Sequence, residues 1–230
     1  MAKHIGIVAC SAEGAALCYR TICCTEAPAV MGRHTHPEVT LHTHSLSEYM
    51  ECVYRDDWQG VAALMLSPAN KLAKAGAEFL ICPDNTIHRA FDQVAPYSPL
   101  PWLHIVEEVA AEAKQHGFRK LAITGTKYTM EGPVYPVKLS AAGIEHLMPN
   151  ADERARIDAI IMDELVNGIF SDEFRTYFQQ VIGRLSHEGC DAVVLGCTEI
   201  PLLIDDRSSP LPTLDSTRIL ARAALKKALA

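Results

Sequence analysis

Short apolar runs alternate with longer amphipathic stretches along the whole of this sequence. The runs predict strands at 4–9, 39–43, 78–82, 101–105, 120–124, 144–148, 191–196 and 211–214. The amphipathic stretches predict helices at 13–26, 57–75, 106–116, 134–142, 152–167, 172–188 and 216–229. Because strands joined by helices run parallel, this alternation predicts an α/β protein with parallel sheets. Such sheets bind ligands beyond the carboxyl ends of their strands, which makes strand-end residues the candidates for function.

The sequence also repeats itself with a shift of about half its length. Three pairs of segments align in the same order: 76–86 with 189–199, 100–110 with 211–221, and 5–10 with 121–126. Because the three shifts are nearly equal, we expect two similar α/β lobes. The first lobe is expected to contain 1–99 and 211–230, and the second 100–210, so that the chain crosses twice between them.

The repeat pairs particular residues at the ends of strands. It aligns Asp84 with Cys197, and Cys10 with Thr126. In a two-fold arrangement, equivalent strand ends face each other across a cleft. We therefore expect Asp84 and Cys197 to flank one ligand from opposite sides.

Composition excludes several classes of function. With 230 residues, of which 49% are hydrophobic and 21% charged, the chain has the balance of a globular protein with a buried core. Its net charge is −7 and no basic stripe stands out, so neither nucleic acid nor an anionic membrane is an expected partner. We find no pattern of a signal peptide and no long apolar segment, and expect a cytoplasmic protein with reduced thiols and no membrane-spanning helix.

The cysteines and histidines do not indicate a metal site. The eight cysteines form no repeated Cys-x-x-Cys pair, and most of them are expected in the core: Cys10, Cys18, Cys23, Cys24, Cys52 and Cys190. Two His-x-His pairs occur in RHTHPEVTLHTHS at 33–45. Their alternation with Val39 and Leu41 is typical of a strand near an edge or interface, and we expect no bound metal.

Three motifs carry a resemblance to a known family. They are DNTIH at 84–88, GTKYT at 125–129 and GCTEIPLL at 196–203. With the N-terminal strand, the helix from Trp58 and the LDS turn at 214–216, the chain resembles the aspartate/glutamate racemase family over nearly its whole length. The resemblance implies two pseudo-symmetric α/β lobes with the active site in the cleft between them. It also implies an enzyme that uses no cofactor and forms a homodimer.

Members of this family are expected to invert amino acids with two cysteines on opposite faces of the substrate. One thiolate removes the α-proton, and the opposite thiol returns a proton to the other face. Cys197 matches the second cysteine, but the position of the first, directly before Asn-Thr, is Asp84 here. Cys82 lies two residues earlier, about 6–7 Å back along the strand, and is not expected to substitute.

An aspartate at this position leaves several functions open. An ionised carboxylate accepts a proton but has none to donate, unless burial raises its pKa. Our first hypothesis is a racemase or epimerase of a small amino acid similar to aspartate or glutamate, which uses Cys197 and Asp84 as the two bases. The alternatives are a decarboxylase, cis–trans isomerase or lyase on the same scaffold, or a non-catalytic protein that binds a small acid. Asp84 also suits the cap of a helix.

The resemblance further implies a set of substrate-binding residues. Hydroxyl, amide and backbone N–H groups are expected to hold the substrate at Ser11, Asn85, Thr86, Thr126, Lys127, Thr129 and Thr198. Lys127 and Arg89 are the candidate cations for a distal carboxylate. His88 is expected either to orient the substrate or to lie in the following helix. Glu199 is expected to hold its turn or to tune the thiolate, and the structural role is favoured.

Overall fold

A computed structural model describes residues 2–230 of the chain. Its strands are β1 (Ile5–Ala9), β2 (Val39–Thr43), β3 (Phe79–Ile81), β4 (Lys120–Thr124), β5 (Glu145–Leu147), β6 (Ala192–Leu195) and β7 (Thr213–Asp215). Its α-helices are α1 (Ala12–Arg20), α2 (Ala27–Met31), α3 (Leu46–Tyr54), α4 (Trp58–Lys74), α5 (Phe91–Val94), α6 (Ile105–Gln115), α7 (Lys127–Glu131), α8 (Val134–Ala141), α9 (Ala151–Ala159), α10 (Asp172–His187), α11 (Ile200–Leu203) and α12 (Ser216–Leu229). Shorter 3-10 and π-helical segments are Thr21–Glu26, Thr86–Ala90, Ala95–Tyr97, Ile160–Glu164 and Leu165–Asn167.

The chain divides into two compact units. The first contains the chain up to Ile105 together with Thr217–Ala230, and the second is Val106–Ser216. The sheet of the first unit has the order β2-β1-β3, and that of the second β5-β4-β6-β7. All neighbouring strands run parallel. The predicted fold class, an α/β protein with two lobes and parallel sheets, is confirmed.

The two sheets share one topology. In each unit the first strand, β1 or β4, lies between the second and the third. Leu80 of β3 forms a parallel bridge with Trp102, and Val193 of β6 pairs in parallel with Thr213 of β7. The bridge at Trp102 is therefore the first-unit counterpart of β7. The sequence repeat corresponds to a repeated strand order.

The boundaries of the units differ from the predicted ones. The chain passes between units after Ile105 and again after Ser216, later than the predicted boundaries after 99 and 210. The strand predicted at 211–214 was expected in the first lobe, but β7 pairs with β6 in the second unit. Strands need a neighbour to satisfy their backbone groups, whereas a helix satisfies its own, so the crossing falls between strand and helix. Only α12 returns to the first unit, where Ala228 O accepts a hydrogen bond of 2.8 Å from Lys3 N–H.

Buried apolar strands organise the core of each unit. All five residues of β1 are buried, and so are all four of β6. Strands of this kind are covered on both faces, which is why they appear as continuous apolar runs. Polar residues follow the carboxyl ends of the strands, and they form one set in each unit. Within residues 2–230, no helix is both long and apolar enough to cross a membrane.

Candidate active site

Asp84 lies in the first unit, in the turn that follows β3. Its side chain is half-buried, and Oδ1 accepts a hydrogen bond of 3.0 Å from Ile87 N–H. This bond ties the Asp84 side chain to the first turn of the 3-10 segment Thr86–Ala90, whose N-cap residue is Asn85. The bond resembles the helix cap that the sequence context of Asp84 suited, and it holds the carboxylate near the end of the strand.

Two buried thiols flank Asp84. Strands β1 and β3 pair Ile7 with Ile81, and continuing this register places Cys10 beside Asp84. Asp84 lies close enough to both Cys10 and Cys82 to act on the two thiols electrostatically. Burial, and then the nearby Asp84 carboxylate, raise the pKa of both thiols well above the ordinary value. Cys10 is buried as predicted, but its contact with Asp84 was missed, because it depends on strand pairing.

His88 is locked into the turn by both of its ring nitrogens. Nδ1 lies 2.6 Å from the Asp84 carbonyl oxygen, and Nε2 lies 3.3 Å from Ile105 N. Because a carbonyl only accepts and an amide N–H only donates, Nδ1 carries the hydrogen and Nε2 accepts. The side chain is 3% exposed. Of the two predicted roles, the structure shows His88 within the 3-10 segment Thr86–Ala90, where it holds the turn in place.

The other polar residues predicted in the first unit lie near the same strand ends. Asn85 is buried and Thr86 is half-buried, directly after Asp84. Ser11 follows β1, and its Oγ accepts a hydrogen bond of 3.1 Å from Gly14 N–H, which caps α1. Asn85 and Thr86 thus lie directly beside Asp84, while the Ser11 hydroxyl serves as a helix cap.

The two candidate cations lie in different units. Arg89 belongs to the first unit and pairs with Asp56 at 3.2 Å, so its charge is already matched. Lys127 belongs to the second unit, where its side chain is exposed and its backbone N–H donates to Asp158 Oδ1 at 2.8 Å. Lys127 is therefore the better candidate for a substrate carboxylate.

Cys197 lies in the second unit, in the turn that follows β6. Its Sγ donates a hydrogen bond of 2.9 Å to Glu199 Oε2, and Thr198 Oγ1 donates to the same oxygen at 2.8 Å. Glu199 is 6% exposed, whereas Cys197 is half-buried. The buried carboxylate is satisfied by these donors, and it provides the thiol with a proton acceptor.

Two glycines allow the ends of β4 and β6 to approach closely. Gly196 N–H donates to Thr124 O at 2.9 Å, and a Cβ at Gly196 would lie 2.6 Å from that oxygen. A Cβ at Gly125 would lie 3.0 Å from Gly196 O. Any other residue would force the loops apart, so the glycines place GTKYT at 125–129 beside GCTEIPLL at 196–203.

The loop after β4 contributes two hydroxyl groups. Thr126 Oγ1 and Thr129 Oγ1 lie 3.4 Å apart, and Thr129 is 3% exposed. Strands β4 and β6 pair Thr124 with Leu195, and continuing this register places Thr126 beside Cys197. Each unit therefore has an acidic side chain, Asp84 or Cys197, after its third strand, and a polar residue, Cys10 or Thr126, after its first.

The predicted site residues thus form two groups. The first unit contains Ser11, Asp84, Asn85 and Thr86, and the second contains Thr126, Lys127, Thr129, Cys197 and Thr198. Both groups lie at the carboxyl ends of parallel strands, where this class of sheet binds ligands. Among the side chains of residues 2–230, no group of three or more His, Cys, Asp and Glu is arranged to hold a metal ion.

Comparisons with known proteins cover both groups. The model of a family described as Asp/Glu/Hydantoin racemase matches residues 13–224, a range that includes Asp84 and Cys197. The broad specificity amino-acid racemase RacX from Bacillus subtilis (strain 168) is 27% identical over 169 residues, which are 72% of this chain and 71% of RacX.

Two solved structures are similar over the full chain. A crystal structure of a proposed Asp/Glu racemase from Yersinia pestis is 33% identical with a TM-score of 0.92, and the match covers 99% of this chain and 100% of that chain. An aspartate racemase homologue from Pyrococcus horikoshii OT3 is 28% identical with a TM-score of 0.87, and the match covers 100% of both chains. The fold and the family motifs therefore point to the same group of proteins.

Proposed function

From the family to which the chain belongs, that of the Asp/Glu/Hydantoin racemases, we propose the reaction that its candidate active site catalyses. The chain is an isomerase of the amino-acid racemase type. We propose that it racemises or epimerises a small amino acid, similar to aspartate or glutamate, without a cofactor. Asp84 and Cys197 are the two bases. One observation carries the proposal: each unit presents one proton-transfer group directly after its third strand, Asp84 after β3 and Cys197 after β6.

Inversion requires removal of the α-proton from one face of the carbon and delivery of a proton to the other. In one direction the Asp84 carboxylate takes the α-proton, and the Cys197 thiol donates its proton to the opposite face. In the reverse direction the Cys197 thiolate takes the proton, and Asp84 donates as a carboxylic acid. One proton leaves the substrate and one arrives, so only the configuration changes.

Glu199 supports formation of the thiolate. The Cys197 thiol already donates to the Glu199 carboxylate at 2.9 Å. Transfer of that proton gives a thiolate that accepts a hydrogen bond from a carboxylic acid, and this is how an adjacent base activates a thiol. The resulting thiolate is then the base that acts on the α-proton.

Polar groups near each base are proposed to bind the substrate. In the first unit these groups belong to Asn85 and Thr86, and in the second to Thr126, Thr129 and Thr198. Their hydroxyl and amide donors suit an α-carboxylate. The exposed ammonium group of Lys127 is the proposed partner of a distal carboxylate.

Racemisation in deuterated water tests the proposal. Enantiomerically pure aspartate, glutamate and other small amino acids are incubated with the protein. The products are separated by chiral chromatography, and their masses are measured by mass spectrometry. We expect a product of inverted configuration that carries one deuterium at the α-carbon. A product that has lost carbon dioxide or ammonia, or binding without exchange, would refute racemisation.

Variants of the two bases test their assignment. We expect Cys197→Ser and Asp84→Asn each to abolish inversion, while Cys190→Ala, which changes a buried thiol elsewhere in the second unit, remains active. Asp84→Cys places thiols at both positions and is expected to racemise in both directions. Wild-type activity in Cys197→Ser would show that another group acts as the base.

A further inference from the structure

We propose that Cys10 is a positioning residue for the reaction, whose thiol orients the Asp84 carboxylate toward the α-carbon. The inference rests on the proposed function, in which Asp84 is one of the two bases. Cys10 itself is not proposed to touch the substrate. Its role is to hold the neighbouring base in the geometry that proton transfer requires.

The pairing of strands brings the two residues together. Strand β1 pairs with β3 in the register Ile7 with Ile81. Cys10 and Asp84 each lie the same number of residues beyond that pair, in the segments that follow these two neighbouring strands, and the Asp84 charge acts on the Cys10 thiol. The thiol is 4% exposed, and the carboxylate beside it is half-buried.

The chemistry of the contact makes Cys10 a donor. Burial first, and then the Asp84 charge, raise the pKa of the Cys10 thiol, so it keeps its proton at neutral pH. A protonated thiol beside a carboxylate donates a hydrogen bond, and the Ile87 N–H donates a second one to Oδ1. Two donors thus fix the orientation of the Asp84 carboxylate.

The second unit also pairs a thiol with a carboxylate, although Glu199 lies on the same turn as Cys197, whereas Cys10 and Asp84 follow different strands. There the thiol of Cys197 follows the third strand, and the buried carboxylate of Glu199 supports it at 2.9 Å. In the first unit the carboxylate of Asp84 follows the third strand, and the buried thiol of Cys10 supports it. Each base is therefore paired with one buried group of the other kind, which favours a supporting role for Cys10 over a role in packing alone.

Kinetics of Cys10→Ala and Cys10→Ser test the inference. Loss of the donor in Cys10→Ala is expected to lower kcat for inversion by about 10- to 100-fold, because small displacements of a catalytic group have effects of this size. KM is expected to change by less than about twofold, since Cys10 does not touch the substrate. Cys10→Ser retains a donor and is expected to recover most of kcat. Cys190→Ala removes an equally buried thiol and is the control.

Hydrogen exchange separates positioning from folding. The Cys197 thiolate can remove and return a proton on its own face, so Cys10→Ala is expected to keep deuterium exchange with retention of configuration while inversion falls. If Cys10→Ala does not fold, Cys10→Val lacks the donor and fills more of the space. The inference would be overturned if inversion were unchanged in the variant without a donor. It would also be overturned if Cys10→Ser were as impaired as Cys10→Ala, or if exchange and inversion fell equally. A wild-type protein that inverts no amino acid would overturn the proposed function as well, which distinguishes the two failures.

Discussion

At neutral pH an unperturbed aspartate carboxyl group is ionised and an unperturbed thiol is protonated, because their reference pKa values are near 3.9 and 8.5. Cys197 donates to Glu199, and Asp84 accepts from Ile87. The first unit therefore presents a proton acceptor, and the second presents a proton donor with a carboxylate beside it. Under the proposed mechanism, this difference favours the direction in which Asp84 removes the α-proton.

Replacement of Glu199 tests how the thiolate forms. Glu199→Gln keeps the volume of the side chain and an oxygen that accepts a hydrogen bond, but it cannot take the Cys197 proton. We expect kcat to fall by about 100-fold or more in the direction that needs the thiolate, the size of a lost general base. Steady-state kinetics from both enantiomers measure it. Glu145→Gln, at an exposed position of β5, is the control, and an unchanged kcat in Glu199→Gln would exclude this role.

Elements with a clear apolar pattern were predictable from the sequence, including three-residue strands such as β3 and β5, whereas elements without one were missed. The strand predicted at 4–9 is observed as β1, and the helix predicted at 57–75 as α4, because each has many residues with consistent burial. α3 was missed, although Ser45 and Glu48 form a capping box that signals its start. A strand was predicted at 101–105, but within this range only Trp102 forms a β-bridge to β3, and α6 already begins at Ile105.

The candidate site shows the same division between local and distant information. The positions of Asp84 and Cys197 after buried strands follow from local pattern and from the repeat. The contact of Cys10 with Asp84 depends on which strands are neighbours and in which register. Strand register involves residues far apart in the chain, so no local pattern in the sequence reveals it.

The close approach of the loops after β4 and β6 predicts a sharp effect of a single methyl group. Gly196→Ala would place Cβ 2.6 Å from Thr124 O, so the turn that carries Cys197 must shift. We expect a loss of about 1–3 kcal/mol in the free energy of unfolding, measured in urea, and a reduced kcat. Gly183→Ala, in α10 with no atom within 4 Å of the added Cβ, is expected to stabilise by about 0.5–1 kcal/mol. Equal stability of the two variants would contradict the steric argument.

The path of the chain through the two units follows from the needs of strands and helices. The sheet of each unit begins, in chain order, with β1 or β4, and its last strand segment pairs at the edge of the same sheet. The helix that follows, α6 or α12, lies mainly in the other unit. The first unit therefore depends on α12, which is distant in the sequence from β1, whereas α6 directly precedes β4 of the second unit.

Buried acidic groups make the stability of the whole protein sensitive to alkaline pH. Burial is the main cause that raises the pKa of Cys10, Cys82 and Tyr49, and it raises the pKa of Cys23 to about 11. In the unfolded chain thiols ionise near pH 8.5. Above that pH the folded protein binds more protons than the unfolded chain, so stability falls as pH rises.

The expected result is a urea midpoint that is constant below about pH 8 and falls steadily between about pH 8.5 and pH 11. The stability from these thiols is fully present below the unfolded pKa and is lost as the pH approaches the folded value. Cys23→Ser removes one of these groups and is expected to make the fall shallower, whereas Cys24→Ser, at an exposed thiol, should leave its slope unchanged. Because the folded thiols hold their protons throughout this range, a midpoint that rose with pH would show that they are not buried as the structure describes.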